Sequence, residues 1–139
     1  MMSTREIPAM LRGRGIPPTA QRLAVAEYVL TTEDHPSADE VLVRAKARLP
    51  MLSRATVYNT LHLLVDKGLL RELTFSGGRI VYDCNVSPHH HFIDEQTGIV
   101  HDIPFDAVHV AKLDLPPGFD VHEYMVVMRG RRKGRSTRS

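Results

Sequence analysis

The stretch Asp83-Cys84-Asn85-Val86-Ser87-Pro88-His89-His90-His91 gathers one carboxylate and three imidazoles, and Asp102 follows eleven residues after the last histidine. Imidazole and carboxylate are the ligands that first-row divalent metals take where thiolate is scarce, and the chain has a single cysteine. Residues two apart in a strand share a face, so His89 and His91 can ligate one ion while His90 points the other way. Asp102 closes such a site from the partner strand of the same hairpin, and Asp83 reaches it from the end of the preceding strand. His35, in a turn before a helix, supplies a fifth ligand. Three imidazoles and two carboxylates suit Fe(II), Mn(II) or Zn(II); the affinity order favours zinc, so availability must decide. His90, with His109 and His122, suggests a second metal site. Taken alone, three histidines in a row also fit a solvated turn, a reading that Asp83 and Asp102 weigh against.

These residues need elements to hold them. Ile16-Pro17-Pro18-Thr19 reads as a turn and N-cap, after which Leu23, Ala26, Val29 and Leu30 recur at helical spacing until Thr31. Ser37-Ala38-Asp39-Glu40 is a capping box, and a helix follows to about Arg48, stopped by Pro50. Ser53 caps a third helix whose Val57, Leu61, Leu64 and Val65 form one apolar stripe, and Gly68 closes it. Residues 69–74 and 79–82 read as strands around Ser76-Gly77-Gly78. Three helices and a hairpin predict a winged helix-turn-helix over residues 1–84.

Asn85 to Pro88 reads as a hinge. Beyond it, residues 91–93 and 99–103 form a second hairpin, Phe105 to Leu113 a short helix, and Val121 to Met128 a third strand. The fold class is therefore α+β: a winged helix, then a small αβ domain over residues 85–128. A unit of about 40 residues rarely supports itself, so its sheet is expected to pair with a second copy.

Charge divides the same way. Residues 1–84 carry a net +2, residues 85–128 carry −6 with six of the eight histidines, and residues 129–139 carry +6. The acidic block can attract cations while both flanks face a polyanion. The tail over 129–139 is expected to be disordered. No apolar run approaches ~20 residues and no leader pattern opens the chain, which predicts a cytoplasmic protein away from membranes. Cys84 reads as a small buried residue, and a single cysteine excludes an intrachain disulfide framework.

Ser53-Arg54-Ala55-Thr56-Val57-Tyr58-Asn59 opens the third helix, the one that enters the major groove in a helix-turn-helix. Arg54 can contact guanine or phosphate, Thr56 and Tyr58 can hydrogen-bond phosphate or meet a thymine methyl, Asn59 can contact adenine, and Ser53 stands with them in the candidate DNA-binding set. Arg22, and Arg12 and Arg14 on an N-terminal arm, are candidate phosphate contacts. Each taken singly also fits an ordinary surface residue.

An ordered set of motifs resembles the ferric uptake regulator (Fur) family. It comprises Thr19-Ala20-Gln21-Arg22, His35-Pro36-Ser37-Ala38-Asp39-Glu40, Ser53 through Leu61, Gly68-Leu69, and Asp83 to His91 with Asp102. The resemblance implies a DNA-binding homodimer, each chain a winged helix hinged to a dimerisation domain. It also implies a regulatory metal held by His35, Asp83, His89, His91 and Asp102, with a second site on His90, His109 and His122. Most members hold a structural zinc on two Cys-x-x-Cys pairs; here Asp94 and Thr97 occupy the first pair, so no four-cysteine zinc site is expected. The chain is closest to the cysteine-poor iron response regulator branch, which implies haem or iron sensing. With no Cys-Pro motif, the histidine run is the candidate haem ligand. Aspartates at both carboxylate positions also resemble the peroxide-sensing branch.

The reading is thus a metal- or haem-responsive repressor of iron homeostasis that binds an AT-containing inverted repeat as a dimer. A peroxide-stress regulator is the alternative. His-x-His with a later carboxylate also fits a small non-haem iron enzyme. Such centres sit in β-barrels, and five short strands without a pocket argue against one.

Overall fold

A computed structural model describes residues 2–133. The end of the basic tail, residues 134–139, lies outside the described residues, and with it most of the expected disorder. The chain divides into two compact units between Val86 and Ser87.

The first unit holds four helices, α1 (Ile7–Gly13), α2 (Ala20–Val29), α3 (Ala38–Lys46) and α4 (Arg54–Asp66), then a two-stranded wing of β1 (Arg71–Thr74) and β2 (Ile80–Asp83). α1 corrects the expected N-terminal arm. Seven residues with a proline in the first turn give a weak periodic signal, yet Ile7 and Leu11 are fully buried. Tertiary packing, not propensity, makes this helix.

Each later helix begins on an oxygen that takes an otherwise orphaned amide. Thr19 accepts from the Arg22 N–H, Ser37 from Glu40, and Ser53 from Thr56. The Glu40 carboxylate returns to the Ser37 N–H, completing the capping box. α4 stops at Gly68, whose φ of 75° is open to glycine. The Gly68 N–H then donates to Val65 and the Leu69 N–H to Leu64, both at 3.0 Å.

The core joins Val57, Leu61 and Leu64 of α4 to Val25 and Val29 of α2, Val41 and Ala45 of α3, and Ile7 and Leu11 of α1. The stripe in α4 is therefore the face that anchors this helix, each side chain contributing roughly 1.5–3 kcal/mol by burial. From the far end, the Arg14 guanidinium donates to the Lys67 carbonyl.

The second unit is one sheet in the order β4-β3-β5: β3 (His89–Asp94), β4 (Val100–Pro104) antiparallel to it, and β5 (Val127–Gly130) parallel to it. β3 is central and all its residues but the half-buried Phe92 are buried. Gly130 ends β5 where an added Cβ would meet the Phe92 ring at 3.4 Å.

The helix expected over Phe105 to Leu113 is absent. A single 3-10 turn, Phe105–Ala107, gives way to extended backbone at Val108, and residues 109–126 have no regular element. A nine-residue amphipathic segment holds a helix only by packing its apolar face, and Leu113, Leu115 and Phe119 stay exposed within this chain. The third strand also starts later than expected, at Val127, and draws Arg129 and Gly130 of the supposed tail into the sheet. Among the described residues no helix is long and apolar enough to cross a membrane.

Leu61 is fully buried and Met51 is 93% exposed. Leu61→Ala should lower unfolding stability by about 2–5 kcal/mol in urea titration, and Met51→Ala by no more than about 0.5 kcal/mol.

Candidate metal centre and nucleic-acid interface

Each unit carries part of the predicted donor set. In the first, the Tyr82 N–H donates to the Pro36 carbonyl at 2.9 Å, drawing the turn before α3 against the end of β2. His35 Nε2 consequently stands 3.3 Å from Asp83 Oδ2, both side chains buried. The other carboxylate oxygen of Asp83 accepts the Asn85 N–H at 2.9 Å.

In the second unit, His91 and Asp102 are direct partners across the β3–β4 ladder. Asp102 Oδ1 lies 3.2 Å from His89 Nε2 and 3.7 Å from His91 Nε2. His89 Nδ1 stands 2.6 Å from the Ser87 carbonyl. A carbonyl only accepts, so Nδ1 carries the proton, and in a neutral ring Nε2 turns its lone pair toward the carboxylate. Two electron-rich atoms at that distance repel unless a proton or cation shares them. A divalent ion about 2.1 Å from each ligand, at angles of 90–120°, separates ligand atoms by about 3.0–3.6 Å. The 3.2 and 3.3 Å spacings fall inside that range and the 3.7 Å one lies just above it, and the backbone hydrogen bond behind His89 is the orienting contact a ligating histidine needs. The residues present fit a divalent metal.

His90 occupies the opposite face and does different work. Its Nδ1 accepts the Val126 N–H at 2.9 Å, so its Nε2 carries the proton and donates to the Phe105 carbonyl at 3.1 Å. The ring is fully buried and stacks on Phe105 with centroids 4.9 Å apart. Both nitrogens are used in holding the two ends of the 106–125 segment. His109 and His122 are exposed, and among the described residues no group of three potential ligands contains His90, His109 or His122. Among the described residues His90, His109 and His122 are not brought into one group, and His90 is engaged by backbone. The same engagement occupies both ring nitrogens of the middle residue of the run that is the candidate haem ligand.

Asp94, at a position of the missing cysteine pair, builds a turn that residue types alone do not announce. Its Oδ1 accepts the Gln96 and Thr97 N–H groups at 2.9 and 3.3 Å, and its carbonyl accepts the Gly98 N–H at 2.7 Å. Hydrogen bonds thus close this hairpin. Its signal is one of spacing, an Asp four residues before a Gly between two strands, a turn signature.

On the first unit, the candidate DNA contacts divide by what already engages them. Ser53 and Thr56 bond each other at the α4 cap, at 2.9 Å between hydroxyls. Arg54 is paired with Asp39 of α3. Arg22 is half-buried and donates to the Pro17 carbonyl at 3.0 Å, and Arg14 holds the end of α4. Arg12, Tyr58 and Asn59 are exposed.

A winged helix followed by a sheet that displays histidines and aspartates defines a metal-responsive DNA-binding regulator. The chain belongs to the ferric uptake regulator family, whose model matches residues 14–129. The peroxide-responsive repressor PerR of Staphylococcus aureus is 37% identical over 97 residues, 70% of this chain and 66% of that protein. The chain thus spans just under two thirds of the length of the curated relatives it matches. Among solved structures, a zinc-bound manganese uptake regulator superposes with a TM-score of 0.68 at 25% identity, covering 94% of this chain and 99% of that one. A ferric uptake regulator of Pseudomonas aeruginosa with manganese superposes at 0.67 and 25% identity, covering 91% and 97%. Members of the family are transcriptional regulators rather than enzymes.

Burial pushes the Asp94 carboxyl up, but the Gln96 and Thr97 N–H groups outweigh it and hold its pKa below the usual range. A depressed folded pKa gives stability that is present above the unfolded value and lost as pH falls through the folded one. Asp94→Ala should therefore melt below wild type at pH 7, with the gap closing in acid. His90→Ala should abolish hydrogen-exchange protection of the Val126 amide.

Proposed function

We propose that this protein is a cytoplasmic, dimeric transcriptional repressor whose DNA affinity is set by one divalent ion. His35 and Asp83 of the winged helix, with His89, His91 and Asp102 of the sheet unit, are its ligands. The observation that carries the reading is the carboxylate oxygen of Asp102 facing the histidine Nε2 atoms of β3, with a matching His35–Asp83 pair in the other unit. When bound, the ion supplies the positive charge that joins the two ligand groups. A ligand set drawn from both sides of the 85–88 hinge gives the ion different affinity for different arrangements of the DNA-reading unit, which is what a switch requires. The second copy would cover Leu113, Leu115 and Phe119 and extend the open β5 edge.

Iron(II) or manganese(II) is the effector consistent with a thiolate-free donor set, zinc being the ion that purified protein would retain. In this proposal α4 reads an AT-containing inverted repeat, with Arg54, Tyr58 and Asn59 toward the bases. Ser53 and Thr56 and the arginines 12, 14 and 22 serve the backbone, and the targets are genes of iron homeostasis. A second reading, a peroxide-stress repressor sensing through oxidation of a metal-bound histidine, is favoured by the similarity to PerR and by the two aspartates in the set. Mass spectrometry separates the two, since oxygen addition at His35, His89 or His91 after peroxide with Fe(II) but not Mn(II) selects the second.

His91→Ala should weaken metal binding by at least the ~10–100-fold that loss of an outer-shell partner costs, and should uncouple operator affinity from added Mn(II) in shift assays. Unaltered metal dependence in that variant would falsify the ligand assignment.

A further inference from the structure

Arg54 is the first residue of α4, where a cation opposes the helix dipole and where no acidic residue of that helix's first turn compensates it. The compensating carboxylate comes from the neighbouring helix. Asp39, in the first turn of α3, accepts a hydrogen bond from Arg54 Nη1. Capping does not require Asp39, because Ser37 and Glu40 already serve the start of α3. Nor does the core, since the two side chains are 60% and 69% exposed. The hydrogen bond and the negative charge of Asp39 push the guanidinium's pKa further up.

We infer that Asp39 sets DNA specificity by occupying Arg54 in the free protein. The inference rests on the proposal that α4 reads DNA. A paired guanidinium adds no net charge, so it contributes nothing to the counterion release that drives sequence-independent binding. A phosphate can only replace one anion with another. A guanine edge offers two acceptors to a group with five N–H donors, and several of these remain while Asp39 keeps its own. The carboxylate therefore penalises non-specific contacts more than base contacts. It acts as a built-in competitor for phosphate.

The test uses the full chain loaded with Mn(II), titrated across salt concentrations against an operator selected from a random library and against a scrambled duplex. Asp39→Asn should tighten scrambled-duplex binding by roughly 5–10-fold and steepen its log–log salt slope by about 0.9, the increment for one added phosphate contact. Operator affinity should change by less than about twofold, so the specificity ratio falls. Asp39→Glu should keep the wild-type ratio. In an Arg54→Gln background Asp39→Asn should have no effect. The inference is overturned if the gain persists in that background, which would make it a general charge effect. It is also overturned if Asp39→Asn weakens the operator complex and leaves scrambled binding unaltered, which would make Asp39 a prop for Arg54. Wild type that binds no duplex with or without Mn(II) would instead sink DNA reading by α4 itself.

Discussion

Three imidazoles in succession on the central strand of a sheet impose the constraint on which the second unit depends. A strand alternates its faces, and a strand flanked on both edges and covered on both faces leaves no water for a ring nitrogen. β3 meets the demand by dividing its rings. His89 and His91 turn to Asp102, and His90 turns to the main chain at Phe105 and Val126. Chemistry and architecture therefore share one strand, and a one-residue slip would exchange them. The register is fixed by the Asp94 turn at one end and by the pairing of His89 with Pro104 at the other.

The first unit shows an analogous economy at α4. Its N-terminal hydroxyls serve the helix, and its end is held by a guanidinium from the residue after α1. The apolar stripe fixes the helix axis, while caps at both ends fix where the helix begins and stops. What remains on the exposed face is a small set of long side chains, and Asp39 restrains the one of them that carries full charge.

Strong local rules made much of this readable from sequence. The capping box at Ser37, the stripe through Val57, Leu61 and Leu64, and the glycine stop at Gly68 all concern neighbours within a turn or two, and all appear as expected. The pairing of His89 and His91 with one carboxylate follows from strand alternation alone. α1 was missed because seven residues give too few periods to see. The helix after Phe105 was wrongly expected because apolar spacing records a preference for burial without saying what does the burying. The role of His90 was hidden for a third reason. Its partners are a carbonyl and an amide, 15 and 36 residues away, and backbone groups leave no mark in a residue pattern.

The parallel pairing of β3 with β5 bears on the order in which the molecule is made. The four helices and both hairpins close between residues near in sequence, and such contacts form early. β5 joins β3 across more than thirty residues of chain, and the His91 amide finds its acceptor only at Val126. Closing so long a loop costs chain entropy that is recovered only once the strand docks. β3, which carries His89 and His91, therefore gains its second neighbour late in folding, after the short-range β3–β4 hairpin has closed.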